Sequence, residues 1–90
     1  MQNLKTLVLK VDGSILISEI REVEGYDIGE PDCVLVNPCQ MAINYDTSEV
    51  KIWKWPVFTD QREIRIHSDS ILTIVDPKTE HIELYLKTIK

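Results

Sequence analysis

Apolar and polar positions alternate in short runs along most of this chain, and the runs are separated by Gly, Pro, Asp and Ser. That pattern predicts a mainly β protein. Leu7-Val8-Leu9-Lys10-Val11 and Ser14-Ile15-Leu16-Ile17-Ser18-Glu19-Ile20 flank Asp12-Gly13, a pair suited to a two-residue type I′ turn. The hairpin would set Val11 opposite Ser14, Leu9 opposite Leu16 and Leu7 opposite Ser18, with Val8 and Ile17 on the other face. Both faces then carry apolar groups, as expected if one lines a core and the other meets a helix or another subunit.

Gly25, Gly29 and Pro31 punctuate the chain after Val23 and predict a loop. A strand resumes at Cys33-Val34-Leu35-Val36 and continues from Cys39 to Tyr45. Pro38 has no donor for a ladder and predicts a break, bulge or edge between them. Asp46-Thr47-Ser48 turns the chain. Val50 to Trp55 alternates again until Pro56, with Trp53 and Trp55 on one face and Lys51 set apart from them. Glu63-Ile64-Arg65-Ile66-His67 and Ile71 to Val75 flank a polar corner at Ser68-Asp69. Asp76 as N-cap and Pro77 as first helical residue predict a C-terminal helix over about 77–89. Ile82, Tyr85, Leu86 and Ile89 would form its apolar stripe, and Glu83 and Lys87 lie four apart. The competing reading is a strand with Ile82, Leu84 and Leu86 on one face.

Ninety residues, 43% of them hydrophobic and 28% charged, predict one globular domain. No apolar run reaches the length of a membrane span, and the first residues lack a signal-peptide pattern, so the expected location is cytoplasmic. The net charge of −5 is unevenly spread. Glu19, Glu22, Glu24, Asp27, Glu30 and Asp32 face only Arg21, whereas Lys51, Lys54, Arg62 and Arg65 make 51–65 slightly basic. An anionic partner would be drawn to the second segment.

Catalytic, metal and cofactor signals are weak, and none is assigned. Cys33 and Cys39 could share one strand face about 20 Å apart in an extended chain, too far to bridge, and predict buried reduced thiols. Their spacing does not suit zinc, and His67 and His81 lie far off in sequence. The carboxylates of 22–32 belong to a solvated loop. Asp12-Gly13 lacks the nested amides of a phosphate loop. Trp53 and Trp55, near Lys51, Lys54 and Arg65, could stack on bases, pack on a partner, or fill the core or a subunit seam.

Short strands with a polar corner before the last one resemble the Sm-like family over about residues 7–77. The family's second motif runs approximately Ile-Arg-Gly-x-Asn-Ile, and Ile66-His67-Ser68-Asp69-Ser70-Ile71 stands at its place, with the apolar brackets kept and the Arg, Gly and Asn replaced. Where bacterial Sm-like RNA chaperones use Lys-His, this chain has Ser68-Asp69. After Gly13, Leu16, Ser18 and Ile20 fall where the first motif favours apolar, Gly and apolar. Lys10 stands where that motif has Leu, and Asp32 is nearest its Asn position. The chain also looks like short Sm-like proteins of marine bacteriophages that carry a helix after the last strand.

The resemblance implies a strongly bent five-stranded Sm-like (SH3-type) barrel that self-associates through open edges, with Ile64, Ile66, Ile71, Thr73 and Val75 at the edges. It also implies RNA as a partner. His67 keeps stacking ability, but Asp69 repels phosphate, so binding is expected to be weak, with Lys51, Trp53, Lys54, Trp55, Arg65 and His67 as its candidates. The expected function is a non-enzymatic homo-oligomeric module without membrane contact. The alternative is a phage structural or regulatory protein-interaction module without RNA binding.

Overall fold

In a computed structural model, which describes residues 3–90, the alternating segments become six strands: β1 (Leu4–Leu9), β2 (Ile15–Glu22), β3 (Cys33–Asn44), β4 (Glu49–Lys54), β5 (Glu63–Ile66) and β6 (Ile71–Val75). A 3-10 turn at Ser68–Ser70 separates β5 from β6, and one helix, α1 (Thr79–Ile89), follows. All pairings are antiparallel. The sheet order is β4-β3-β2-β1-β6, with β5 also on β3. Among the described residues the sheet stays open.

The Asp12-Gly13 turn forms, but with a different register from the two-residue expectation. Leu7 faces Leu16 and Val8 faces Ile15, and the loop runs from Lys10 to Gly13. The Leu9 N–H donates to the Ser14 carbonyl, and the Gly13 N–H to the Leu9 carbonyl. Gly13 takes the left-handed conformation at φ +73°, while the Asp12 carboxylate accepts the Ser14 N–H at 2.9 Å. The slip is by two residues, so every side chain keeps its face.

Pro38 lies at a bulge. Ile17 pairs with Cys39 while Glu19 pairs with Val36, so Asn37 and Pro38 together oppose Ser18. The extra residue bends β3 and exchanges its faces. Ser18 is fully buried, and its hydroxyl lies 2.9 Å from the Glu19 carbonyl and 3.1 Å from that of Val36. Cys33 therefore alternates with Leu35 on one side while Cys39 faces the other. The expectation of a shared cysteine face fails because the bulge intervenes. Both thiols are buried and unbridged.

β4 pairs with β3 from Cys39 to Asn44, and β5 pairs with β3 from Cys33 to Val36. Together they act as one strand interrupted by residues 55–62, which explains six strands where five were expected. The Trp55 N–H donates to the Pro38 carbonyl at 3.0 Å, and the Asn37 N–H to the Arg62 carbonyl at 2.7 Å. Arg62 also donates from Nη2 to the Trp55 carbonyl at 3.1 Å. These bonds clasp the ends of the excursion at the bulge.

Two apolar clusters form on opposite faces of the sheet. Leu7, Leu9, Leu16 and Leu35 make one, with Ile20, Trp55, Ile64, Ile66 and Ile71 against it. Leu4, Ile17, Cys39, Met41 and Tyr85 make the other, with Ile82 and Ile89 from α1. The second apolar face of the hairpin thus meets a helix of the same chain. The helix forms as the periodic stripe requires, which excludes the strand reading, but it starts later than expected. Asp76 pairs with Lys5 instead of capping, and the Lys78 carbonyl accepts the His81 and Ile82 N–H groups at 3.0 Å. Leu86 falls at the stripe's margin and is exposed.

Candidate functional site

Three loops meet at the polar corner. The Lys10 N–H, from the hairpin loop, donates to the Ser70 carbonyl at 2.8 Å. The Asp32 carboxylate, at the end of the acidic loop, accepts the Ser68 N–H at 2.7 Å and the Ser68 hydroxyl at 2.6 Å. These two bonds hold the exposed Asp32 carboxyl below its ordinary value. Asp32 thereby occupies donors that the corner could otherwise offer to an anion. The Val23 N–H donates to the Asp32 carbonyl at 2.9 Å, which closes the base of the acidic loop and carries Asp32 to the corner.

Beside this latch lies a shallow groove of about 620 Å³ lined by Leu9, Lys10, Val11, Arg65, Ile66, His67, Asp69 and Ser70. Lys10 and Arg65 supply cations, Asp69 opposes them, and His67 is an exposed ring at the rim. This arrangement can hold an anion weakly beside a stacking surface.

Of the sequence-derived nucleic-acid candidates, Arg65 and His67 come together in this groove. Lys51 and Lys54 are three residues apart on β4, so the pleat sends them to opposite faces. Lys51 pairs across from Ala42, and Lys54 from Cys39. Trp53 lies opposite Gln40, on the same face as Lys51, because positions two apart in a strand share a side. The expectation that Lys51 stands apart from the indoles is therefore corrected. Trp53 is half-buried, and Trp55 packs on the Leu7 cluster. Sequence reading missed Lys10 and Val11 as groove residues, because only the four-residue hairpin loop carries them to the corner.

The expected edge residues divide in the same way. Ile64, Ile66 and Ile71 pack against the Leu7 cluster, whereas Thr73 and Val75 are exposed on β6. Four of the five residues of β6 are exposed. Its outer edge carries no partner strand among the described residues.

Neither cysteine sits in a reactive setting. Burial pushes the Cys39 thiol up to about 11, and burial followed by the charges of Asp32 and Glu22 raises that of Cys33. The described residues bring no three of His, Cys, Asp and Glu together as metal ligands, and none of their helices is long and apolar enough to cross a membrane.

The fold and groove define a small antiparallel β protein with a C-terminal helix, open sheet edges and a polar three-loop corner. Residues 2–90 match a family of unknown function, DUF6561. The chain belongs to that family. No curated protein matches it.

Proposed function

We propose that this protein is a non-enzymatic Sm-like module that assembles with copies of itself through its sheet edges, and that RNA is at most a weak ligand. The state of β6 carries the reading. Leu72, Ile74 and Val75 are all exposed apolar residues on a strand whose outer backbone groups lack a ladder, which is the arrangement that invites strand addition. The outer edge of β5 likewise carries no partner strand among the described residues, with its Glu63 carbonyl accepting from Gln61 Nε2 at 2.6 Å. β5 and β6 lie on different flanks of the sheet, so their pairing is heterologous and repeats from copy to copy, closing into a ring where the rotation allows.

RNA contact falls on the corner groove, with Arg65 and Lys10 as phosphate partners and His67 as a stacking surface. Asp32 and Asp69 keep it weak. Native mass measurement of purified protein, with the 260/280 nm absorbance ratio, tests both parts of the reading. The expected result is an oligomer with little copurifying nucleic acid, and a monomer of 10.4 kDa at high micromolar concentration refutes the assembly.

The Asp32–Ser68 latch favours one second reading, a phage structural or regulatory protein-interaction module without RNA binding. Anisotropy with a uridine oligomer at two salt concentrations separates the two. Weak binding with a log-log salt slope of about −0.7 per phosphate contact, lost in Arg65→Ala and strengthened in Asp32→Ala, supports an RNA role. No binding by either the wild type or Asp32→Ala supports the second reading.

A further inference from the structure

The excursion 55–62 brings together two cations that stand eight residues apart in the chain. Lys54 closes β4, Arg62 precedes β5, and the clasp at the bulge ties Trp55 and Arg62 to Pro38 and Asn37. The charges of Arg62 and Lys54 both act on the Cys39 thiol, and Lys54 lies directly across the ladder from Cys39. Residues paired in this way share a face of the sheet. Cys39 belongs to the cluster under the helix, whereas the corner groove takes Leu9 and Ile66 from the opposite cluster. The two cations therefore gather on the other face from that groove.

Neither cation has a carboxylate partner. Among the described residues the ion-paired cations are Lys5 and Arg21. Arg62 is half-buried, and its guanidinium is committed to backbone: Nε donates to the Gln61 carbonyl at 3.1 Å and Nη2 to the Trp55 carbonyl at 3.1 Å. Nη1 is buried and meets no acceptor among the described residues. A cation taken partly out of water is costly unless an opposite charge compensates it, and Lys54 beside it adds a like charge. The pair lines a hollow of about 460 Å³ with Pro56, Val57, Thr59 and Asp60. The Thr59 hydroxyl accepts the Gln61 N–H at 3.1 Å, which leaves its own proton free to donate. Asp60 sets one negative charge against two positive ones, so the hollow keeps a positive surplus.

We propose that this hollow binds a small organic phosphate, with the phosphate group between Lys54, the outward side of Arg62 and the Thr59 hydroxyl, and the organic part against Pro56 and Val57. The donor set selects phosphate over carboxylate. A carboxylate matches the parallel N–H groups of a guanidinium fork, and Arg62 has spent its Nε and Nη2 on carbonyls. What remains is a point charge on Lys54, a hydroxyl and single guanidinium donors, which a tetrahedral group with several oxygens meets from different directions. Val57 is 77% exposed and with Pro56 forms an apolar wall that inorganic phosphate leaves untouched. The site uses neither the sheet edges nor the corner groove, so it stands independently of the assembly and RNA readings above.

Amide-resolved NMR titration with glycerol phosphate and with inorganic phosphate, at an ionic strength held constant with sodium chloride, tests the proposal. Glycerol phosphate should move the amides of Val57, Thr59 and Asp60 at millimolar concentration and bind more tightly than inorganic phosphate. Lys54→Gln should weaken binding about tenfold, the loss expected for a hydrogen bond to a charged group. Asp60→Asn should tighten it by about two- to fivefold, the range of an exposed charge pair. Lys51→Gln removes the same charge from the opposite face of the same strand and should leave binding unchanged. A loss of less than twofold in Lys54→Gln, or an equal loss in Lys51→Gln, overturns the site. So do shifts confined to Lys10, Arg65 and His67, which place the phosphate in the corner groove, and the absence of any shift over 57–60 at high millimolar concentration. Equal affinity for the two phosphates overturns the organic ligand.

Discussion

Replacing Tyr85 separates the two contributions that one side chain makes beneath the helix. Tyr85 is the one fully buried residue of α1, and its ring joins Leu4, Ile17, Cys39 and Met41. Its hydroxyl is buried and meets no acceptor among the described residues. Truncation to alanine removes the ring and opens a cavity, at about 3 to 5 kcal/mol. Tyr85→Phe keeps the ring and deletes a polar group whose burial without a partner costs about 1 to 3 kcal/mol, so it should be neutral or stabilise by about 1 kcal/mol. In a domain of this size each kcal/mol moves the melting temperature by about 4 to 8 °C. Thermal and urea unfolding, followed by circular dichroism and tryptophan fluorescence at one fixed protein concentration, should place Phe at or above wild type and Ala far below. Destabilisation by Phe of more than about 1 kcal/mol would show that the hydroxyl is bonded. A loss of under about 1 kcal/mol in Ala would show that the helix is not anchored by this ring.

Two further outcomes follow from the same interior. Ser18→Ala should cost about 1 to 2 kcal/mol, because it strips a donor from buried carbonyls at the bulge, and a denaturant midpoint unchanged from wild type would remove that role. Stability should also fall as pH rises from about 9 to about 11. The Cys39 thiol is raised from 9.0 to about 11 and the Tyr85 phenol from 10.0 to about 12, by burial first in each case, so between those values the unfolded chain has lost protons that the folded chain still holds. The thiol alone corresponds to roughly 2 to 3 kcal/mol. A flat stability profile from pH 8 to 11, measured by urea titration, would contradict the burial of both groups.

Period-two alternation located the strands, because a half-buried strand writes its pleat directly into the sequence. Local chemistry alone could not set the hairpin register: Asp12-Gly13 suits a two-residue loop, whereas the chain forms a four-residue loop that sets Leu7 against Leu16, and both registers keep the same apolar face inward. Pro38 announced an interruption, but the exchange of faces it brings to β3 depends on Ser18 across the ladder, whose hydroxyl donates to the Val36 carbonyl eighteen residues further along the chain. Similarly, Asp76 reads as a cap until its distant partner Lys5 is known. The basic segment 51–65 looked like one patch because charge was counted along the chain, whereas the pleat divides Lys51 from Lys54 and the fold instead carries Lys10 to Arg65. The latch between Asp32 and Ser68 joins residues thirty-six apart, and no local signal marks it.

The clasp at the bulge has an evolutionary consequence. The sheet senses residues 55–62 chiefly through their two ends, where Pro38 and Asn37 hold Trp55 and Arg62. Doubling the length of a flexible loop costs only about 0.6 kcal/mol in closure entropy, so the stretch 57–60 beyond the buried Pro56 can be lengthened, shortened or rewritten with little effect on the strands. Mutation there can explore new shapes while the hydrophobic clusters on both faces stay under their own constraint. A lineage could thus change which molecule it docks with without first having to re-evolve the scaffold.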